Sequence, residues 1–162
     1  MSDRSEVEDF APQICALIIA PGRGAQCFGA KISSATLELW KTKLDQVQVI
    51  GQAELFPLLI SRLTWNDWIA GERVLYFIDN ESSRLCMIKG YSPVLPSLQI
   101  VMQCLSWDYK HDSSGWYARV PSLSNPGDDP SRLVVPSLGF PVDVVSPVFP
   151  PGHWPDDILR VG

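Results

Sequence analysis

Long apolar runs, paired cysteines, histidines and excess positive charge are all scarce or missing in this 162-residue chain. No apolar run approaches the roughly 20 residues of a membrane span, so nothing in it reads as membrane-embedded. The opening Met1-Ser-Asp-Arg-Ser-Glu6 is acidic where a signal peptide would be basic and then apolar, which points to an intracellular protein, in cytoplasm or nucleus. Cys15, Cys27, Cys86 and Cys104 form no Cys-x-x-Cys pair and lie in apolar segments, so they read as free buried thiols and not as a zinc site. His111 and His153 have no metal-ligating neighbour in sequence and read as surface or loop residues, which disfavours histidine-based catalysis. There is no G-x-G-x-x-G or Walker sequence, and Gly22-Arg23-Gly24 is too short to stand for either.

What is present suits one globular domain. The chain is 46% apolar and 19% charged, which argues against overall disorder. Its length allows about two thirds of the unfolded surface to be buried. The net charge of −5 is unusual for a nucleic-acid binder. Much of that charge is terminal: residues 1–10 hold four acids against Arg4 and residues 153–162 hold two against Arg160, leaving −1 between them. Few phosphate contacts are on offer, so any nucleic-acid binding is expected to be weak and salt-sensitive.

Along the chain, Ile14–Ala20 and Ala25–Ile32 flank a Gly-rich turn and predict a β-hairpin. Ser33-Ser34 predicts the cap of a short helix through Leu37, Leu39 and Trp40, ending near the lysines at 41 and 43, with Val47–Ile50 extended after it. From Gly51 to Ile69, the residues Leu55, Leu58, Leu59, Leu63, Trp65, Trp68 and Ile69 recur at spacings of three and four, the pattern of one buried helical face. Pro57 predicts a late start or a kink there. The run 73–78 is apolar on both faces, as a central strand would be. Asn80 caps a predicted helix carrying Leu85, Met87 and Ile88 that stops at Gly90, and a second helix over roughly 96–108 carries Leu98, Val101, Met102 and Leu105 on one stripe. A strand over 116–120 follows. Nine of the fourteen prolines lie between 121 and 155, and no periodic segment follows Leu138, so residues 136–162 read as a proline-rich tail attached to a domain spanning 1–135. This order predicts a mixed α/β fold, an α+β arrangement with about five strands in one mixed sheet and flanking helices.

Three acids stand at junctions of these elements. Glu54 lies in Gln52-Ala-Glu-Leu55 at a helix start, Asp79 ends the run Val74–Ile78, and Asp128 sits in the turn Asn125-Pro-Gly-Asp-Asp-Pro-Ser-Arg132. Two divalent ions about 4 Å apart can activate a water and stabilise the leaving oxygen of a phosphodiester, and holding them takes several carboxylates from different elements. Each acid alone has an ordinary reading: a first-turn helix acid, a turn residue before a cap, a solvated Pro-Gly-Asp turn. Asp79 is the most telling, because it follows five apolar residues and so emerges from the core.

Gln52-Ala-Glu-Leu55, Tyr76-Phe-Ile-Asp-Asn80, Lys89-Gly-Tyr-Ser92 and the 125–132 string together resemble the ribonuclease H-like domains attached to reverse transcriptases of retroelements, especially protist and tyrosine-recombinase-type elements. The resemblance covers roughly residues 14–135 and rests on motif order. It implies a ribonuclease H-like fold and a two-metal endoribonuclease that cuts the RNA strand of an RNA–DNA hybrid with magnesium or manganese, beside a reverse transcriptase domain. Glu54, Asp79 and Asp128 are by that resemblance the second, third and fourth metal-binding acids. The family's first acid lies in an Asp-Ala-Ser-like string within a first strand; here Ser2-Asp3-Arg4-Ser5 is the only match, making Asp3 the implied first ligand and Asp9 the fallback. No motif supports Asp156-Asp157 as a substitute, and the histidine often found before the last acid is missing. Two alternatives remain: a ribonuclease H-like scaffold or interaction domain without catalysis, and a related 3′–5′ exonuclease or integrase chemistry on another nucleic acid.

Overall fold

The computed structural model describes residues 12–42, 50–121 and 139–160. β1 (Gln13–Ala20) and β2 (Gly24–Lys31) pair antiparallel from Gln13↔Lys31 to Ala20↔Gly24, as the sequence predicts. Gly22 and Gly24 sit at φ +79° and +87°, left-handed values that a side chain would strain. Ile14 and Phe28 from this hairpin are fully buried, and Ala16 and Ile18 pack against the same core.

Helix α1 (Ser34–Thr42) starts where Ser33 Oγ accepts from the Thr36 amide at 3.2 Å, the side-chain cap expected of a serine there. α2 (Ile50–Thr64) runs through Pro57 without starting after it, which corrects the expected late start and makes Ile50 helical instead of extended. Proline at that place removes one helical hydrogen bond, at a cost of about 3 kcal/mol. The burial of Leu55, Phe56, Leu58, Leu59 and Ile60 around it offsets that cost, at about 1.5–3 kcal/mol for each large side chain. The predicted single helix to Ile69 instead breaks at Trp65, and α3 (Asn66–Ile69) is a separate turn.

β3 (Arg73–Ile78) and β4 (Ser114–Arg119) pair in parallel, joined by α4 (Glu81–Lys89) and α5 (Leu95–Lys110). Asn80 Oδ1 accepts from the Ser83 amide at 2.8 Å and Gly90 ends α4 at φ +65°, both as predicted. In α5 the buried stripe is Pro96, Ser97, Ile100, Val101, Cys104, Trp107 and Asp108, one position round from the stripe predicted, and Met102 is exposed.

Past Gly139 the chain returns to the hairpin. β5 (Val142–Val144) pairs parallel and β6 (Asp157–Ile158) antiparallel with the free side of β2, and Phe149 and Leu159 are buried. The architecture is therefore mixed α/β with a mixed sheet and flanking helices. Among the described residues the strands do not form the single sheet of about five that was expected: they divide into a four-stranded mixed sheet and the two-stranded β3–β4 pair. β3 is also not covered on both faces, since Leu75 and Phe77 are 56% and 62% exposed beside Trp116 on β4. No helix among the described residues is long and apolar enough to cross a membrane.

Candidate functional site

Glu54 lies one turn inside α2, beyond the first turn where an acid would serve the helix dipole. Asp79 follows the buried Ile78 at the end of β3 and immediately precedes the cap of α4. Both side chains are half-buried. The Glu54 carboxyl is held above its ordinary range, first by burial and then by the negative charge of Asp79. That coupling puts the two acids within reach of each other's charge, one from a helix and one from a strand end.

Asp128, Asp3 and the fallback Asp9 lie outside the described residues. Asp156 accepts from the amide and hydroxyl of Ser34 at 3.4 and 3.3 Å, an attachment of the tail, and Asp157 pairs through its backbone opposite Lys31 in β6. Among the described residues no group of three or more His, Cys, Asp or Glu side chains is placed to hold a metal ion. Glu54 and Asp79 thus stand as a pair of hard oxygen donors, suited in chemistry to magnesium or manganese and in number to part of a ligand set.

The histidines are less peripheral than their sequence context suggests. His153 Nδ1 lies 2.7 Å from Thr36 Oγ1 and its ring meets Phe56 edge-on, while His111 stacks on Trp107 at 4.1 Å. None of the four cysteines is in a disulfide; Cys27 and Cys104 are buried and Cys15 and Cys86 partly so.

A buried polar cluster, unsuspected from the sequence, lies between the elements that carry the pair. Arg62 on α2 has a fully buried side chain and donates from Nε and Nη2 to Asp108 Oδ1 and Oδ2 at 2.8 and 3.0 Å. Its remaining donors reach Tyr117 Oη and Leu58 O, each at 2.9 Å, and its plane lies 4.6 Å over the Tyr76 ring. Burial is the largest single influence and opposes the guanidinium charge, but the Asp108 hydrogen bonds together with the neighbouring Cys104, Tyr76 and Tyr117 raise the pKa above its ordinary value. Burial also pushes the Tyr76 and Tyr117 hydroxyls up, against the lowering effect of Arg62. The two tyrosine rings stack at 5.3 Å, and Gly115 makes room for them: a Cβ there would meet Tyr117 Oη at 2.8 Å and Tyr76 Cε2 at 2.9 Å. One signal could have exposed the cluster, because Arg62 follows Leu58, and Asp108 follows Cys104, by four residues on buried stripes.

Comparison with known proteins finds no family model, no curated protein and no solved structure that matches this chain.

Proposed function

We propose that this chain is a metal-dependent ribonuclease H-like nuclease domain that cleaves the RNA strand of RNA–DNA hybrids, as part of a reverse-transcribing element. The observation that supports this reading is the Glu54–Asp79 pair: two carboxylates from different elements, near enough that the charge of Asp79 adds to burial in disfavouring ionised Glu54. Such an arrangement is unfavourable alone and favourable around a divalent cation. Glu54 and Asp79 would hold part of the metal set, with Asp128 and Asp3 the other ligands implied by motif order. Magnesium or manganese bound there would supply activation of a water and stabilisation of the leaving oxygen. The chain's own residues would do the holding, Asp79 directly after the last residue of β3 and Glu54 from the second turn of α2. A hybrid would be told from DNA by its 2′-hydroxyls and groove shape, so little sequence preference is expected.

The test is cleavage of an RNA–DNA hybrid with magnesium or manganese. Activity that needs the metal, falls steeply with salt and is lost in both Glu54→Gln and Asp79→Asn supports the reading. A second reading, a ribonuclease H-like domain that has lost catalysis and serves as an interaction scaffold, draws on the exposed apolar patch of Leu75, Phe77 and Trp116 and on the net charge of −5. Absence of any metal-dependent cleavage of hybrid, RNA or DNA would favour it.

A further inference from the structure

We propose that Arg62 is a positioning residue for the Glu54–Asp79 pair, setting how α2 lies over β3; the metal-binding part of this inference rests on the proposed function above. Glu54 and Arg62 share α2, eight residues and so about 12 Å apart along its axis. Tyr76 lies in β3, and Asp79, three residues on, directly follows the strand's last residue, Ile78. The contact of Arg62 with the Tyr76 face therefore joins the helix carrying one carboxylate to the strand carrying the other. Asp108 on α5 and Tyr117 on β4 hold the same guanidinium from two further elements, so its position is fixed by all four.

Stability alone does not account for this arrangement. A buried ion pair gives up much of its attraction to desolvation, and well-packed apolar residues of similar volume commonly replace one without loss. Fixed direction is what apolar side chains cannot supply: packing of the α2 leucines is non-directional, whereas a planar fork and a ring face admit one orientation. Orientation matters at the far end of the helix. A rotation of α2 by about 20° would carry the Glu54 carboxyl about 2 Å sideways, given a helix radius of about 6 Å with side chains. Metal–ligand distances tolerate only about 0.2 Å.

The test uses the whole chain and the volume-matched double variant Arg62→Met/Asp108→Leu. Its thermal midpoint is expected near that of wild type, while amide residual dipolar couplings report a changed orientation of α2 relative to β3. Manganese, read by paramagnetic broadening of the Asp79 and Asn80 amides, is expected to bind at least tenfold more weakly. Arg62→Lys, which keeps the charge and loses the planar fork, should fall between the two and serves if the double variant fails to fold. Couplings that fit the wild-type orientation in whichever variant folds would overturn the proposal. If manganese broadens nothing in wild type, the metal reading fails, and the couplings by themselves decide the role of Arg62.

Discussion

Arg62 and Asp108 form a bidentate pair at 2.8 and 3.0 Å with the arginine side chain wholly out of water and the aspartate 11% exposed. The cost of desolvating both charges is met only while both are present. Arg62→Met alone should therefore destabilise the protein by about 3–5 kcal/mol, because it strands a buried carboxylate. The double variant with Asp108→Leu should recover most of that loss. Urea unfolding of the two single variants and the double would measure the coupling.

The raised Glu54 pKa carries a signed pH dependence. Because the folded state holds this proton more tightly than the unfolded chain, the group's contribution to stability is complete below its ordinary value of 4.5 and is lost as pH rises through the folded value. Asp79→Asn removes the repulsive charge but not the burial, so it should reduce this loss. Metal-free Asp79→Asn is expected to be as stable as wild type near pH 4 and as stable or more so near pH 7. Thermal melts across that range would show it, and a large drop in the variant's stability at every pH would assign Asp79 a structural role instead.

Gly115→Ala tests the tyrosine stack. The added methyl would sit 2.8 Å from Tyr117 Oη and 2.9 Å from Tyr76 Cε2, and neither side chain can withdraw easily, since Tyr117 Oη is held by Arg62 and Tyr76 lies under the guanidinium. A loss of about 1–3 kcal/mol is expected, typical of an overpacked core. Near-ultraviolet circular dichroism should change with it; unchanged stability would mean the rings part at little cost.

Phe77 and Trp116 provide the opposite case. Both are large and apolar but lie 62% and 70% exposed on the open face of β3–β4. Replacing either by Ser should shift stability by no more than about 0.5 kcal/mol. Tyr76→Ser, one residue away on the covered face, should cost several times more. Equal losses at Phe77 and Tyr76 in chemical denaturation would show that β3 is covered on both sides in solution.

Local chemistry was legible in the sequence. The hairpin turn at Pro21–Gly24, the Ser33 and Asn80 caps and the Gly90 stop each depend on a few adjacent residues, and each is where the pattern puts it. The extent of α2 was less so: burial of its leucines outweighs the helix-breaking cost of Pro57, and a propensity cannot weigh that. The face that β3 buries was misread because an apolar run records what a strand could bury, and its neighbours decide what is covered. Glu54 and Asp79 could be named from their junctions, but that one feels the other's charge depends on where α2 sits relative to the end of β3. Arg62 and Asp108 sit 46 residues apart and meet only once α2 packs on α5. Sequence alone determined the hairpin, the Ser33 and Asn80 caps and the Gly90 stop, because those follow from short-range sterics and hydrogen bonding. Tertiary structure alone decided the division into two sheets, the buried ion pair and the reach of the Asp79 charge to Glu54, because these rest on interactions whose energy appears only when distant segments are brought together.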